Sequence, residues 1–254
     1  MRGALDVCGC FPTGRHYPGI ADRLSRVVTQ VKGLAAAVAA DSDWASQKLA
    51  IIDFETTGLD PKKDRIIEIG VVCFSGGELT NLQNFLVNPD CEVSQEILDL
   101  TKIPIEELRA APPIAEVLQR FEPFAADHLP VAYNAPFDRG FLHAELARAD
   151  FAKGRAANTL PPAFQDEVVW IDPLVWVREL QKNERSKRLG DVCARMGIAL
   201  DNAHRAASDA EATGRVLYAL SKDLPKTYGE LIRLQAQYAA RQEVDKSATF
   251  RRRT

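Results

Sequence analysis

The sequence lacks the overall positive charge that marks many nucleic-acid-binding proteins. Its 254 residues include 32 lysines and arginines against 35 aspartates and glutamates, a formal net charge of −3. A chain with this balance has no basic surface like that of a structural DNA-binding protein. Any contact with a polyanion must therefore be local or assisted by metal ions.

Cysteine and long apolar runs are also scarce. The five cysteines, at positions 8, 10, 73, 91 and 193, are odd in number and irregularly spaced, unlike a secreted disulfide framework. A reducing cytoplasm fits this pattern better. No run approaches the roughly 20 apolar residues of a membrane span, and residues 34–40 lie too far from the N-terminus for a signal peptide. We therefore expect a cytoplasmic protein without membrane contact.

What is present is enough apolar sequence for a sizeable core, since 46% of the residues are hydrophobic. We expect one domain at 47–221 with two extensions. Residues 1–46 form the first, a loose segment followed by an amphipathic helix from Ile20 to Leu34, where apolar residues recur at helical spacing. Residues 222–254 form the second, with a helix at Tyr228–Glu243 and a basic tail. The extensions either pack on the domain or bind a partner or a second copy.

The pattern of the domain predicts an α/β fold, a mixed five-stranded sheet flanked by helices. A Ser-Gly-Gly turn at 75–77 joins the second and third predicted strands into an antiparallel meander. The predicted elements are strands at Leu49–Ile52, Arg65–Phe74 and Leu79–Val87, helices at 94–100 and 113–127, a strand at Val131–Asn134, a helix at Asp138–Ala149, a loop at 150–166, a strand at Val168–Asp172, and then helix to about 221.

Two carboxylates, Asp53 and Glu55, follow the first apolar run directly. Side chains alternate along a strand, so both point to the same face. Two carboxylates aimed together from a buried strand are costly unless a positive charge lies between them, and a divalent cation is the natural candidate. Taken alone, the pair is better explained by unrelated acids on a strand end that emerges into solvent, and the rest of the chain decides against that interpretation.

Two further segments carry polar residues at the ends of secondary-structure elements. Asp138 follows a predicted strand-to-helix junction, where a lone aspartate would ordinarily cap the helix. His204 precedes a predicted helix and Asp209 falls near its first turn. With Asp53 and Glu55, these residues form an ordered set of four carboxylates and one imidazole.

The motifs that carry this set resemble those of the DEDDh 3′→5′ exonuclease family, which includes the proofreading subunit of bacterial DNA polymerase III, ribonuclease T and oligoribonuclease. The resemblance covers residues 48–221 and implies a ribonuclease H-like fold, two Mg²⁺ or Mn²⁺ ions, and release of nucleoside 5′-monophosphates from a 3′ end. It rests on Asp53-Phe-Glu55-Thr-Thr-Gly58-Leu59, Arg65-Ile-Ile-Glu-Ile-Gly70, Asn134-Ala-Pro-Phe-Asp138 and His204-x-Ala206-x-x-Asp209.

Phosphodiester hydrolysis accounts for these residue types. Two cations can generate the attacking oxygen, offset charge on the phosphate and stabilise the departing 3′ oxygen. Carboxylate oxygens suit Mg²⁺ and Mn²⁺, so we expect Asp53 to bridge both ions, with Glu55, Asp138 and Asp209 completing the shell. A histidine titrates near neutrality, so His204 can take the proton of the attacking water.

Six neighbouring residues are candidates for substrate contact. Backbone N–H groups of Thr56 to Gly58 could meet the terminal 3′-hydroxyl and phosphate, and Gly58 permits a close approach or a positive φ. The alternative is that these side chains only pack or cap. Leu59 resembles the family's apolar residue that wedges against the terminal base. The six candidates are Thr56, Thr57, Gly58, Leu59, Asn134 and Phe137.

Three functions remain open from the sequence. The first is a 3′→5′ exonuclease acting on single-stranded or frayed 3′ ends of DNA, as in proofreading or repair. The second is an exoribonuclease that processes RNA 3′ ends, because discrimination depends on contacts to the 2′ position that motifs do not reveal. The third, a non-catalytic nucleic-acid-binding module, would require the loss of a ligand residue, and all five residues are intact.

Overall fold

A computed structural model describes residues 31–200 and 204–251 of the chain. Its centre is a four-stranded sheet. The strands are β1 (Lys48–Thr56), β2 (Ile66–Ser75), β3 (Glu78–Leu86) and β4 (Leu129–Val131). They lie in the order β3-β2-β1-β4. The first three strands are antiparallel, and β4 runs parallel to β1.

The distribution of apolar residues explains the strand order. Leu49–Ile52 of β1 and all of Ile66–Phe74 of β2 are buried, as expected of strands covered on both faces. Strand β3 is polar and mostly exposed, which suits an edge. Gly76 and Gly77, both with positive φ, form the two-residue turn between β2 and β3. The predicted meander is confirmed.

Helices cover both faces of the sheet. They are α1 (Gln95–Thr101), α2 (Ile105–Ala110), α3 (Ile114–Ala125), α4 (Ala135–Arg148), α5 (Pro173–Leu180), α6 (Leu189–Met196), α7 (Ala206–Leu220) and α8 (Tyr228–Arg251). Ile51 packs in a core with α5 to α8, whereas its neighbour Ile52 packs in a second core with α3 and α4, as the alternation of strand side chains requires. Among the described segments, none of the helices combines the length and the apolar character needed to cross a membrane.

The predicted fifth strand, Val168–Asp172, is wrong. Only Ile171 forms a β-bridge, to Val131. The other backbone groups have different partners: the amide of Val169 donates to the Gly33 carbonyl at 2.8 Å, and the Gln235 side chain bonds both the Trp170 carbonyl and the Asp172 amide at 2.8 Å. A segment whose hydrogen bonds are satisfied in this way cannot extend the ladder beyond β4.

The prediction of helix from 173 to about 221 is wrong in its continuity. The segment contains α5, α6 and α7, and residues 181–188 and 197–200 are not helical. Helix α6 ends because Gly197 is left-handed (φ 67°).

The remaining predicted elements have the right type but shifted bounds. The strand predicted at Val131–Asn134 lies at Leu129–Val131, because Asn134 is left-handed (φ 70°) and α4 begins directly after it. Helix α8 continues past the predicted Glu243 to Arg251. Most of the helix predicted from Ile20 lies outside the described residues.

The described end of that predicted helix is not helical. Residues 31–40 form turns and bends. Gly33 has φ 90° and lies so close to Val169 that a Cβ on it would be 2.3 Å from a Val169 methyl group. The helical pattern of apolar residues therefore gives way here to a tertiary contact.

Residues on both sides of 47–221 pack on the domain core. Trp44 and Tyr228 are buried. The Trp44 indole donates to the Pro225 carbonyl at 2.8 Å, and the Ala35 amide donates to the Tyr228 hydroxyl at 3.1 Å. The start of α8 is thus part of the hydrophobic core.

Gln235 offers a test of this packing. Gln235→Leu would leave the buried Trp170 carbonyl and Asp172 amide without partners, at a cost of about 1–3 kcal/mol each. We expect the free energy of unfolding in urea to fall by about 2–5 kcal/mol. The matched control is Gln237→Leu, two residues along the same helix and exposed, which should change it little. Equal effects of the two variants would contradict the role of Gln235.

Candidate functional site

Asp53 and Glu55 lie near the end of β1, opposite Gly70 and Glu68 of β2. They share the sheet face of Ile51, which is the face covered by α7. Gly70 permits the close approach of α7, because a Cβ there would lie 2.2 Å from the Ala206 carbonyl carbon. The first turn of α7, which carries Asp209, is therefore held against the strand pair beside Asp53.

Asp138 reaches the same place from α4. Its side chain is 2% exposed, and its Oδ1 accepts a hydrogen bond from the Phe54 amide at 3.0 Å. Phe54 lies between Asp53 and Glu55 in β1. Asp138 is thus bound to the strand that carries the other two carboxylates, and the N-cap position of α4 belongs to Asn134.

His204 precedes α7 in a left-handed conformation (φ 68°) and is exposed. Its backbone amide donates to Asp209 Oδ2 at 3.3 Å. Glu55, His204 and Asp209 each offer one potential ligand atom, and these three atoms lie within 4.8 Å of one another. All five residues predicted from the sequence to be catalytic therefore converge at one end of β1.

Burial and mutual repulsion raise the pKa values of all four carboxyl groups. The pKa of Asp53 is raised well above its ordinary value by burial and by Asp138, Asp209 and Glu55. Burial, and then Asp209 and Glu68, raise the pKa of Glu55 to about 8. Burial is also the main cause of the raised pKa values of Asp138 and Asp209. Such a group of oxygen donors fits divalent cations, which would relieve this repulsion.

Glu68 is a residue of the site to which the sequence analysis assigned no role. It is 0% exposed and accepts hydrogen bonds from Arg205 Nε at 2.9 Å, Arg205 Nη2 at 2.7 Å and the Ala206 amide at 3.0 Å. These bonds fix the start of α7 and, through it, His204 and Asp209. The available signal was a single acid within the apolar run 66–74, which is rare without a partner.

Asp172 performs a similar task for α4. It is buried, caps α5 through the Leu174 amide at 2.9 Å, and accepts from the Asn134 and Ala135 amides at 3.0 and 3.1 Å. One carboxylate therefore holds the junction from which Asp138 projects.

The predicted substrate residues fall into two groups. The Leu59 side chain is 85% exposed, and Asn134 lines a cavity with His204 and Asp209. In contrast, Phe137 is only partly exposed and packs on Phe141 with ring centroids 4.9 Å apart. Phe137 is therefore mainly a packing residue.

The Thr56–Gly58 turn is held by its own hydrogen bonds. The Thr56 hydroxyl donates to the Gly58 carbonyl at 2.6 Å, and the Thr57 hydroxyl accepts from the Arg65 amide at 3.0 Å. Gly58 is needed within the turn itself, because a Cβ on it would lie 2.5 Å from the Asp64 carboxylate. Its φ is not positive, and a close approach of its backbone to a substrate stays a prediction.

A mixed sheet with an acidic cluster at the end of its central strand defines a ribonuclease H-like nuclease fold. Residues 50–217 match the profile of the RNase T family, described as exonucleases. The chain belongs to this exonuclease family.

Curated relatives include DNA polymerases III of the PolC type. That of Oceanobacillus iheyensis is 36% identical over 185 residues, which are 73% of this chain and 12% of that protein. That of Bacillus cereus is 35% identical over 180 residues, 71% of this chain and 12% of that protein. The chain thus spans about an eighth of the length of these relatives.

Solved structures share the fold at low sequence identity. E. coli exonuclease I in complex with a dT13 oligonucleotide has a TM-score of 0.56 and 22% identity, over 69% of this chain and 41% of that one. Exonuclease X in complex with 5′ overhanging duplex DNA has the same score and identity, over 74% and 99%. A 3′-exonuclease that recognises the histone mRNA stem-loop has a TM-score of 0.57 and 19% identity, over 72% and 84%.

The raised pKa of Glu55 predicts the pH dependence of the metal-free protein. A carboxyl group whose folded pKa is raised contributes stability that is present below the unfolded pKa and lost as the pH rises through the folded one. Between the ordinary value of 4.5 and about 8, we expect the urea midpoint in EDTA to fall. Glu55→Gln should flatten this fall, and Mg²⁺ or Mn²⁺ should restore the wild type at high pH. The exposed Glu78→Gln is the control, and identical profiles for both variants would contradict the assignment.

The Glu68–Arg205 pair predicts a positioning effect. Glu68→Gln and Arg205→Lys should each reduce kcat by roughly 10–100-fold, as loss of groups that orient metal ligands commonly does. KM should change less, because neither side chain is assigned to the substrate. Glu78→Gln again serves as the control. A large rise in KM with kcat unchanged would show that the pair acts on the substrate instead.

Proposed function

We propose that this protein is a metal-dependent 3′→5′ exonuclease that hydrolyses DNA 3′ ends to nucleoside 5′-monophosphates. The observation that carries the proposal is the convergence of Asp53, Glu55, Asp138 and Asp209 beside His204 in a member of an exonuclease family. Within the described residues these four carboxylates lie together without a lysine or arginine ion pair.

Two divalent cations, Mg²⁺ or Mn²⁺, are the cofactors that this donor set would hold. The residues that would hold them are Asp53, Glu55, Asp138 and Asp209. Four carboxylates offset the charge of two such ions, and hard oxygen donors suit both metals. When bound, the ions lower the pKa of the attacking water and stabilise the leaving 3′ oxygen.

His204 is proposed as the general base. Its exposed position on the loop before α7 gives the imidazole access to a water at the carboxylate cluster, and its neutral form can accept a proton there. The exposed Leu59 side chain is proposed to pack on the terminal base, while Asn134 and the backbone of Thr56–Gly58 bind the 3′ terminus.

DNA is the preferred substrate because the curated relatives are named DNA polymerases. RNA is the alternative, favoured by the fold shared with a 3′-exonuclease that recognises an mRNA stem-loop. Binding of single-stranded or frayed 3′ ends avoids the cost of unpairing. Three further statements stay predictions. They are the division of the chain at 46/47 and 221/222, the cytoplasmic location, and the association of the extensions with a polymerase or a second copy.

The test uses end-labelled oligonucleotides with Mg²⁺ or Mn²⁺. Single-stranded DNA, duplex DNA with a mismatched 3′ end and RNA of the same sequence are compared. We expect stepwise shortening from the 3′ end, fastest for single-stranded or mismatched DNA. A 3′-phosphate should block the reaction and a 5′-phosphate should not.

Site variants connect this activity to the cluster. Asp138→Asn should abolish it, and His204→Ala should lose roughly 10²–10⁴-fold in rate, the usual contribution of a positioned acid–base group. The exposed Asp223→Asn is the matched control. Cleavage of circular single-stranded DNA, or an active Asp138→Asn variant, would refute the proposal, and faster degradation of RNA would select the alternative.

A further inference from the structure

A cavity of about 1150 Å³ opens beside His204 and Asp209, and its wall is basic. Among the lining residues that belong to the described ranges 31–200 and 204–251, two are acidic, Asp209 and Asp191. Such an excess of cations is notable in a chain whose net charge is −3. The basic lining residues, here called the basic wall, are Arg178, Arg185, Lys187 and Arg188.

Three of these four cations belong to the connection between α5 and α6, residues 181–188. The sequence analysis predicted helix for this stretch, and the structure has a non-helical connection there instead. In the fold it lines the same cavity as Asn134. The tertiary structure therefore brings the loop to the catalytic cluster.

The backbone of this connection is fixed by neighbouring elements. The Tyr133 hydroxyl donates to the Lys187 carbonyl at 2.5 Å, the Ser186 hydroxyl donates to Asp191 at 2.5 Å, and Arg195 Nη2 donates to the Ser186 carbonyl at 2.9 Å. Burial raises the pKa of Tyr133, so its phenol stays protonated and able to donate. A segment held in this way can present side chains to a ligand without a large ordering cost.

The outer cations of the basic wall have no acidic partner. Arg185 and Arg188 are exposed and form no ion pair or side-chain hydrogen bond within 31–200 and 204–251. By contrast, Arg65, Arg155 and Arg205 bind buried or half-buried carboxylates. Two arginines left with unneutralised charge beside a cavity are available for an anionic ligand.

We propose that Arg185 and Arg188, with Lys187 and Arg178 beside them, bind the phosphates of the nucleotides that precede the 3′-terminal one in a single-stranded nucleic acid. The inference rests on the proposed function and extends it from the scissile phosphate to the strand behind it. Two divalent ions would only offset the charge of the four carboxylates, so attraction for the strand behind the scissile phosphate must come from a separate set of cations. Basic grooves that follow the backbone are the usual means of holding single strands without regard to sequence.

The experiment compares a long and a minimal substrate of the same active site. The long one is a single-stranded oligodeoxynucleotide, and the minimal one is the p-nitrophenyl ester of thymidine 5′-monophosphate, which has one phosphodiester and no preceding phosphates. Variants are Arg185→Ala/Arg188→Ala and the charge-conserving Arg185→Lys/Arg188→Lys. The matched control is Lys48→Ala/Lys222→Ala, which removes the same charge from exposed lysines, Lys48 being at the opposite end of β1 from Asp53.

We expect the double alanine variant to raise KM for the oligonucleotide about tenfold at moderate salt and leave the ester reaction unchanged. The log–log slope of KM against salt should fall by about 0.7 for each phosphate that the variant no longer binds, or about 1.4 for two phosphates. The lysine pair should restore most of both values, and the Lys48/Lys222 control should resemble the wild type.

Three outcomes separate the inference from the proposed function. A wild type inactive on both substrates with Mg²⁺ or Mn²⁺ overturns the proposed function itself. With an active wild type, an oligonucleotide KM and salt slope equal to those of the Lys48/Lys222 control overturn the basic wall. Equal losses on both substrates also overturn it, because the arginines would then act on the scissile group or its surroundings.

Discussion

The contact between the N-terminus of α7 and strand β2 determines the geometry of the whole site. Gly70 has no side chain, so the backbone at Ala206 lies directly on the strand, and Glu68 holds that backbone by its hydrogen bonds to Arg205 and Ala206. Because Gly70 is paired with Asp53, and Glu68 with Glu55, this contact places α7 over the two strand carboxylates. This contact therefore holds Asp209 and His204 beside Asp53 and Glu55.

Buried carboxylates in the described part of the chain serve two different purposes. Glu68 and Glu145 are compensated by guanidinium groups, Arg205 at 2.7 Å and Arg65 at 2.8 Å, and they join helices to the sheet. Asp53, Glu55, Asp138 and Asp209 form no such ion pair in the described residues, and burial, together with neighbouring carboxylates, raises their pKa values. Their repulsion destabilises the metal-free fold, and the two hydrophobic cores must offset it. Sites that bind cations commonly trade stability for function in this way.

The residues around the site are of two kinds: some fix the helix that carries Asp138, and others are exposed. Asp172 and Glu145 fix the two ends of α4, so that Asp138 projects from a helix with little freedom. His204 and the basic wall line the cavity instead, and the Leu59 side chain is exposed. A rigid acidic cluster with accessible groups around it suits a reaction in which a polymer end enters, is cut and then advances.

Local pattern in the sequence determined the meander, because strand alternation and turn chemistry act over a few residues. The four motifs that carry the five catalytic candidates, in their order along the chain, gave the resemblance to the family. Tertiary structure decided the rest. Whether Val168–Asp172 became a strand depended on the hydrogen bonds that its Val169 and Asp172 amides donate to Gly33 and Gln235, which are far away along the chain. The role of Glu68 depended on Arg205, 137 positions later. The charges at 185–188 acquired a neighbour in His204 only through folding. Periodicity shows which face of an element is apolar, but it contains no information on which distant residue will pack on that face. Contacts between residues far apart in the sequence brought the scattered charges together into a site.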